Sequence, residues 1–299
     1  MRHNRKLHIS TAGTRKTKHW PETEILWSEF VGQGKNYRIR STETVEEYLA
    51  MPKYRQDELK DVGGFVGGTF ENNIRKAAYV KGRDLLTLDM DNIPAGGTDE
   101  ILKRVSGLGC AALVYSTRKH AGYAPRLRVI VPLDATASAD EYEPASRKLA
   151  SLIGMEFCDP TTFDVSRLMY WPSCCKDGEY IFEVYDHPFC SLSGLLQMYG
   201  DWTDISQWPQ VPGTAAIEKR RLAKQEDPTT KRGIIGAFCR TYTISQAMEK
   251  FIPGMYDPTD IEGRYTYTGG STVGGAVVYD GDLFLYSHHA TDPCSGHAR

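Results

Sequence analysis

The feature that most constrains this chain is a run of apolar residues that ends in two acidic ones. Residues 85–91 read LLTLDMD, and Asn92 and Pro94 stop the run. Alternate side chains of a β-strand point to the same side, so Asp89 and Asp91 share one face. Leu86, Leu88 and Met90 point to the other face. Acidic residues are depleted in strands. The pattern therefore predicts a strand with one face in the core and two carboxylates on an open face.

The patterns that follow predict an α+β fold. In order they are a helix from Thr98 to Val105, strands over 110–115 and 126–131, a helix with a capping box at Ser138 that ends before Gly154, and a hairpin of 166–171 and 179–185. This is the β-α-β-β-α-β order of ferredoxin-like and RNA-recognition-motif (RRM) folds. We expect an RRM-like core with one open sheet face, in which the hairpin's first strand runs beside residues 85–91.

Composition divides the chain into three parts. Residues 1–204 are predicted to form the catalytic domain, with an N-terminal α/β elaboration before the core. Residues 205–232 combine turn signals with a charged run and are predicted to be a linker. Residues 233–299 are predicted to form a small C-terminal accessory module, short enough to be a truncated one, with a helix over 234–253 and a glycine-rich β-meander over 264–286.

Charge excludes a strong global attraction to phosphate. The net charge is −2, with 40% hydrophobic and 25% charged residues, so any nucleic-acid site must be a local basic surface. The first twenty residues carry six basic residues and no acid, which fits either a solvated disordered tail or a DNA-contacting arm. Glycines at 63, 64, 67 and 68 indicate a turn or a close approach of backbones, and only weakly a phosphate cradle.

Cysteine usage and hydropathy predict a cytoplasmic protein. Seven cysteines without a C-x-x-C pair support neither a disulfide framework nor a zinc ribbon. There is no apolar N-terminal signal and no apolar run of membrane-spanning length. We therefore expect no membrane partner.

The acids and bases around the first strand suit a metal-dependent site. Carboxylates this close repel each other unless a cation lies between them, and oxygen ligands suit Mg²⁺ or Mn²⁺. A two-metal site needs a third acid, for which spacing leaves Asp159 and Asp164 open. Arg126 and Arg128 share a face of the third strand, where they could bind a triphosphate or simply neutralise the aspartates. The loop before that strand adds candidate nucleotide-binding residues: Ser116, Arg118, Lys119 and His120.

These residues resemble the motifs of the archaeo-eukaryotic primase superfamily. The resemblance rests on LDMD at 88–91, on Ser116 with His120, and on a later hydrophobic residue followed by aspartate. The sequence at 60–68, 125–133 and 166–173 further resembles the primase-polymerase region of phage and mobile-element proteins of the virulence-associated-E kind. The similarity covers most of residues 20–190, and the chain contains no Walker motif of the helicase that often follows.

The resemblance implies roles for individual residues. Asp89 and Asp91 would hold Mg²⁺ or Mn²⁺, His120 would contact the nucleotide's phosphates, and Asp159 would be the third acid because Arg167 follows it by eight residues. Three residues separate the serine and histidine where the family usually has one, so the role of Ser116 is open. We also expect an idealised sheet of this order to place the His120 loop at the end of the first strand opposite Asp91, which implies a distorted sheet or another topology.

The function implied is template-dependent DNA primase-polymerase activity by a two-metal mechanism in the replication of a phage or mobile element. Its partners would be a single-stranded DNA template, nucleoside triphosphates and a separately supplied replicative helicase. The residues also allow a metal-dependent nuclease, a glycosyltransferase or a non-catalytic single-stranded-DNA-binding module. The strand order argues against the parallel sheet usual in glycosyltransferases.

Overall fold

The computed structural model describes residues 1–37, 39–214, 226–279 and 281–295. The chain forms two compact units, Met1–Met198 and Tyr199–Arg299. The elements of the first unit are, in chain order, β1 (Lys6–Ala12), β2 (Glu22–Leu26), α1 (Trp27–Asn36), β3 (Ile39–Arg40), α2 (Val45–Ala50), α3 (Lys53–Leu59), β4 (Gly64–Val66), β5 (Gly68–Phe70), β6 (Val80–Met90), α4 (Thr98–Gly107), β7 (Ala112–Ser116), β8 (Leu127–Ala137), α5 (Ala139–Ile153), β9 (Met169–Tyr170), β10 (Ser173–Cys174), β11 (Phe182–Tyr185) and α6 (Leu192–Gln197).

The first unit is a mixed α+β structure built on a five-stranded antiparallel sheet. Its strand order is β11-β7-β8-β6-β5, and α5 packs against β6. The sequence signals for its helices are confirmed. Ser138 caps α5 and exchanges hydrogen bonds with Glu141, and the helix ends before Gly154, where φ is +147°.

A second sheet covers most of the face that we expected to stay open. Its order is β2-β1-β4-β9. Side chains of the five-stranded sheet, including Leu85 and Ile130, share one core with Leu7, Phe65 and Trp171. The end of that face, where β6 finishes, opens to a cleft. The prediction of an open face is therefore wrong for the part that packs in this core.

Strand pairing departs from the predicted RRM-like order. In a split β-α-β-β-α-β sheet the fourth strand lies beside the first, but here β11 pairs with β7 and β5 takes the place beside β6. The predicted hairpin of 166–171 with 179–185 is wrong, because β9 pairs with β4 in the second sheet. A strand of two residues, such as β9, has no periodicity to reveal its partner.

The glycines of residues 63–68 allow backbones to pack closely. A Cβ atom on Gly68 would lie 2.1 Å from the carbonyl oxygen of Gly82, and one on Gly64 would lie 2.4 Å from the Leu168 side chain. These distances are shorter than any van der Waals contact. The segment therefore forms two buried strands, β4 and β5, and the close-approach interpretation is confirmed.

The basic N-terminal segment is structured. Strand β1 pairs with both β2 and β4, and the side chains of Leu7 and Ile9 are fully buried. The interpretation of the first twenty residues as a disordered tail is therefore wrong. The alternation of Leu7, His8, Ile9 and Ser10 is the strand signal that the count of basic residues obscured.

In the described residues of the second unit the α-helices are α7 (Gly233–Thr241) and α8 (Ile244–Phe251). They replace the single predicted helix over 234–253, because Thr243 accepts a hydrogen bond from the Gln246 N–H and starts a new helix. Strands β12 (Tyr256–Pro258), β13 (Arg264–Tyr267), β14 (Ala276–Tyr279) and β15 (Phe284–Ser287) form the predicted meander. Residues 215–225 of the predicted linker, with its charged run, lie outside the described residues.

Candidate active site

The end of β6 is tied to the loop that carries the candidate third acid. The Asp89 N–H donates to Thr162 Oγ1 over 2.8 Å, and the Asp159 N–H donates to the Asp89 carbonyl oxygen over 2.8 Å. An isolated bridge also pairs Met90 with Cys158. These backbone contacts fix the position of Asp159 relative to Asp89, although the two residues are seventy positions apart in the sequence.

Two arginines of the neighbouring strand contact the two strand-end acids. Strand register places Arg128 opposite Asp89, and Arg128 Nε lies 3.4 Å from Asp89 Oδ1. Arg126 Nη1 donates to Asp91 Oδ2 over 2.7 Å. Opposite residues of neighbouring strands point to the same side of the sheet. The carboxylates and guanidinium groups therefore lie on the same side of the sheet, and all four residues line one cleft.

The two candidate third acids have different partners. Asp159 Oδ2 accepts a hydrogen bond of 2.9 Å from Arg167 Nη2, which also lies 3.5 Å from Asp89 Oδ2. Asp164 Oδ1 instead accepts from the N–H and hydroxyl of Ser166. Both acids line the same cleft, but Asp159 is the one joined to Asp89 through a shared arginine.

The loop of residues 117–126 lies at the same end of the sheet as Asp91. Strands β6 and β7 are both antiparallel to β8, so they run parallel to each other and finish at the same end. The expectation that His120 would lie at the opposite end is therefore wrong, and no distortion of the sheet is needed. A split β-α-β unit itself places the two strand ends together.

Within this loop the predicted residues are used differently. Arg118 and Lys119 line the cleft, and Arg118 is paired with Glu43. His120 is buried outside the lining, with Nδ1 accepting from the Arg126 N–H over 3.1 Å. Ser116 is also buried, and its hydroxyl accepts from the Ile181 N–H.

The cleft has a volume of about 590 Å³ and a strong excess of basic residues. Its lining contains the carboxylates of Asp89, Asp91, Asp159 and Asp164. It also contains nine basic side chains, Arg15, Lys53, Lys60, Arg75, Arg118, Lys119, Arg126, Arg128 and Arg167. A whole molecule with a slight negative net charge thus concentrates positive charge at one place, as a binding site for a polyanion requires.

Four of these basic residues were not predicted at the site: Lys53, Lys60 and Arg75 showed no pattern, and Arg15 was noted only as part of the basic N-terminal segment. Three of them are grouped around one acid, because Lys53, Lys60 and Arg15 all lie within ion-pair distance of Asp57. Arg15 lies in the loop between β1 and β2, Lys53 begins α3, and Lys60 follows α3. These segments are far from the end of β6 in the sequence. Only the tertiary fold brings them to the cleft.

The charges in the cleft alter the pKa values of their neighbours. Burial and the nearby Asp89 carboxylate raise the pKa of Asp91, and Arg126 and Arg128 act against this rise. Burial lowers the pKa of Lys119, as do the neighbouring cations Lys53 and Arg126. An anion that entered the cleft would relieve the repulsion among these cations.

The acids fit a hard divalent ion in their chemistry. The donor set is oxygen only, and Asp89 Oδ1 is buried without a hydrogen-bond partner in the described part of the chain. Among the described residues, no three or more histidine, cysteine, aspartate and glutamate side chains are arranged to hold a metal ion. In the metal-free protein the carboxylates are paired with arginines instead. Arg167 Nη2 lies between the carboxylates of Asp89 and Asp159, and Arg128 Nε contacts Asp89.

In the described residues, no helix is both long and apolar enough to cross a membrane.

Comparison with solved structures finds the AEP domain of the cyanophage S-2L primase-polymerase (PrimPol). The two chains are 11% identical, the match covers 64% of this chain and 88% of that chain, and the TM-score is 0.35. A TM-score of this size carries no argument about function. No curated protein matches the chain.

Comparison with protein families gives a definite result. Residues 1–211 match the model of the VapE N-terminal domain, which is well over half of the chain. The resemblance to virulence-associated-E proteins that the sequence suggested is thereby confirmed. The chain belongs to the VapE N-terminal domain family.

Proposed function

We propose that this chain is the catalytic part of a template-dependent DNA primase-polymerase that uses Mg²⁺ or Mn²⁺. The observation that carries the proposal is the composition of one cleft, in which four aspartates adjoin nine basic side chains. Asp89 and Asp91 lie at the end of β6, and Asp159 and Asp164 come from a later loop. A nuclease would use the same acids without a triphosphate pocket, whereas a metal-bound triphosphate also needs cations directly beside the acids, where Arg126, Arg128 and Arg167 lie.

In this proposal Asp89, Asp91 and Asp159 hold the divalent ions. When bound, such ions lower the pKa of an attacking hydroxyl and stabilise the charge of the leaving pyrophosphate. Arg126, Arg128 and Arg167, with Arg118 and Lys119 of the same cleft, would bind the phosphate oxygens. His120 then acts as a positioning residue, since its ring fixes the backbone of Arg126.

The reaction is an in-line displacement. The oxygen of a 3′-hydroxyl forms a bond to the α-phosphorus of the incoming nucleotide and gives its proton to solvent. The bond between that phosphorus and the bridging oxygen breaks, and pyrophosphate leaves. The arginines of the cleft would stabilise the charge that develops on the leaving group.

The template strand is assigned to the basic wall formed by Arg15, Lys53 and Lys60. Three cations share the single carboxylate of Asp57, so this wall keeps a positive charge that contacts with a phosphate backbone would neutralise. Binding of this kind reads no sequence, as expected for template that must vary.

The rest of the chain is assigned by the same proposal. Residues 1–204 form the catalytic domain on a variant of the RRM-like core, 205–232 a linker, and 233–299 an accessory module. A replicative helicase is a candidate partner. Ser116, with its hydroxyl engaged by the Ile181 N–H, supports β7 rather than the nucleotide.

One incubation separates this function from its rivals. The protein is mixed with labelled nucleoside triphosphates, Mn²⁺ and a single-stranded DNA of mixed sequence. Elongated labelled product supports the proposal. Cleaved template would indicate a nuclease, and binding without either product would indicate a DNA-binding module.

A further inference from the structure

Arg167 lies where a cation shared by two acids belongs. One nitrogen, Nη2, is 2.9 Å from Asp159 Oδ2 and 3.5 Å from Asp89 Oδ2. The backbone bond from Asp159 to the Asp89 carbonyl holds these two carboxylates side by side. A divalent ion that bridged them would need the space that this guanidinium nitrogen takes.

The charges around this nitrogen are already balanced. Asp91 is paired with Arg126, Asp89 with Arg128, and Asp159 with Arg167. A divalent ion that enters alone therefore meets a site with no excess negative charge. If it enters with a triphosphate, the phosphate oxygens give a released arginine a new anionic partner.

Of the two arginines that contact Asp89, Arg167 is better placed than Arg128 to exchange partners. Arg128 also donates to the Tyr170 carbonyl and its side chain is 11% exposed, whereas the side chain of Arg167 is 28% exposed. Arg167 follows a turn closed by Asp164, outside any helix or strand. Its buried Nε has no hydrogen-bond partner among the described residues, so a donor remains free for an incoming oxygen.

We propose that Arg167 holds the place of the divalent ion in the nucleotide-free protein and transfers to the triphosphate when metal and nucleotide enter together. Metal binding then depends on nucleotide, and by linkage nucleotide binding depends equally on metal. This inference rests on the proposed function for its assignment of Asp89 and Asp159 as metal ligands. It concerns binding, and it can fail while synthesis occurs.

The test is a calorimetric titration of the full chain with Mn²⁺ in the absence of nucleotide and template. The variant is Arg167→Gln, which removes the competing charge. The matched control is Arg75→Gln, since Arg75 lines the same cleft and its guanidinium donates to the Ser166 carbonyl. The control corrects for the general loss of one positive charge.

We expect Arg167→Gln to bind Mn²⁺ at least about fivefold more tightly than Arg75→Gln, in the range of ordinary coupling between sites. Adding a nucleoside triphosphate should tighten Mn²⁺ binding strongly in the unaltered protein and less in Arg167→Gln. Arg167→Lys, which keeps the charge, should restore weak binding of Mn²⁺ alone. Thermal unfolding of each variant shows that it is folded.

A purely structural role predicts another result. If Arg167→Gln binds Mn²⁺ no better than Arg75→Gln, or neither variant binds it, the placeholder role is refuted. If Arg167→Gln gains affinity for Mn²⁺ but no variant or unaltered protein makes product, the placeholder role stands and the proposed polymerase activity fails.

Discussion

Asp159 and Asp164 lie in one loop, yet their carboxylates have different partners. Asp159 keeps one oxygen for the Thr161 N–H and turns the other toward Arg167 and the cleft. Asp164 closes a turn with Ser166. The sequence left the choice between them open, because both follow an apolar residue. Their partners now favour Asp159 as the metal ligand in the proposed mechanism.

The first prediction separates the two acids by substitution. Asp159→Asn keeps the oxygen that accepts from Thr161 and removes the charge, so synthesis should fall by more than about 100-fold, which corresponds to a few kcal/mol of lost metal binding. Its melting temperature should change little. Asp164→Ala should cost about 1 kcal/mol, as the loss of a capping oxygen does. That cost should lower the melting temperature by about 2–4 °C. Full activity in Asp159→Asn, with activity lost in Asp164→Ala, would mean that Asp164 is the ligand.

The second prediction concerns the pH dependence of stability at His120. Burial lowers the pKa of this ring in the folded protein, whereas the unfolded chain has the ordinary value of about 6.5. The unfolded state therefore binds more protons at acidic pH, and the stability present above the unfolded value is lost as pH falls through the folded pKa.

The comparison uses His120→Asn, which retains an acceptor for the Arg126 N–H but does not titrate. We expect its melting temperature to fall less than that of the unaltered protein between about pH 7.5 and about pH 5. His187→Asn, at an exposed position, serves as the control. Equal losses in all three proteins would show that His120 does not titrate in this range.

At the scale of elements, α3 and the residue that follows it supply much of the basic wall. Lys53 begins the helix and Lys60 follows it, and both contact Asp57 on the turn between them. These residues lie about thirty positions before the first acid, in a segment whose sequence shows only an ordinary charged helix. Their relation to the site follows from how α3 packs beside the cleft.

The third prediction tests this wall with the double variant Lys53→Gln, Lys60→Gln. Affinity for a single-stranded oligonucleotide should fall, and the slope of log affinity against log salt should become shallower by about 0.7 for each phosphate that the wall no longer neutralises. Nucleotide affinity should stay unchanged. The control is Lys81→Gln, Lys103→Gln, two exposed lysines outside the cleft. Loss of nucleotide affinity instead would assign the wall to the triphosphate.

The fourth prediction concerns the pairing of β5 with β6. A methyl group at Gly68 would lie 2.1 Å from the Gly82 oxygen and 2.5 Å from Arg83 Cδ, so Gly68→Ala should destabilise the protein by about 1–3 kcal/mol. Gly107→Ala, in open space at the end of α4, should be neutral or stabilise by up to about 1 kcal/mol. Thermal unfolding compares them. If Gly68→Ala has a normal melting temperature but binds nucleotide poorly, the glycines at 67 and 68 form a phosphate-binding segment.

At the scale of the whole molecule, local patterns predicted elements better than their partners. The periodicity of residues 85–91 and the cap at Ser138 located β6 and α5 because both signals lie within one segment. The pairing of β9 with β4, and of β11 with β7, depends on residues about a hundred positions apart or on strands too short to show alternation.

The residues of the site likewise fall into those that local sequence patterns predicted and those that depend on contacts between distant segments. Arg126 and Arg128 were predictable because strand alternation and neighbouring strands place them near Asp89 and Asp91. Arg15 and the α3 lysines were not, since no sequence pattern states which distant elements meet at a cleft. His120 lies next to the site, but its burial behind Arg126 depends on the fold of the loop.

The most direct test of the central claim is nucleotide incorporation by Asp89→Asn beside the unaltered protein. Both are incubated with a single-stranded template, labelled nucleoside triphosphates and saturating Mn²⁺, and both are checked by thermal unfolding. We expect template-dependent product from the unaltered protein and none from Asp89→Asn. The unfolding measurement is needed to show that the variant is folded, because the change relieves repulsion with Asp91 but also removes the ion pairs of Asp89 with Arg128 and Arg167. Equal synthesis by the two proteins would contradict the account.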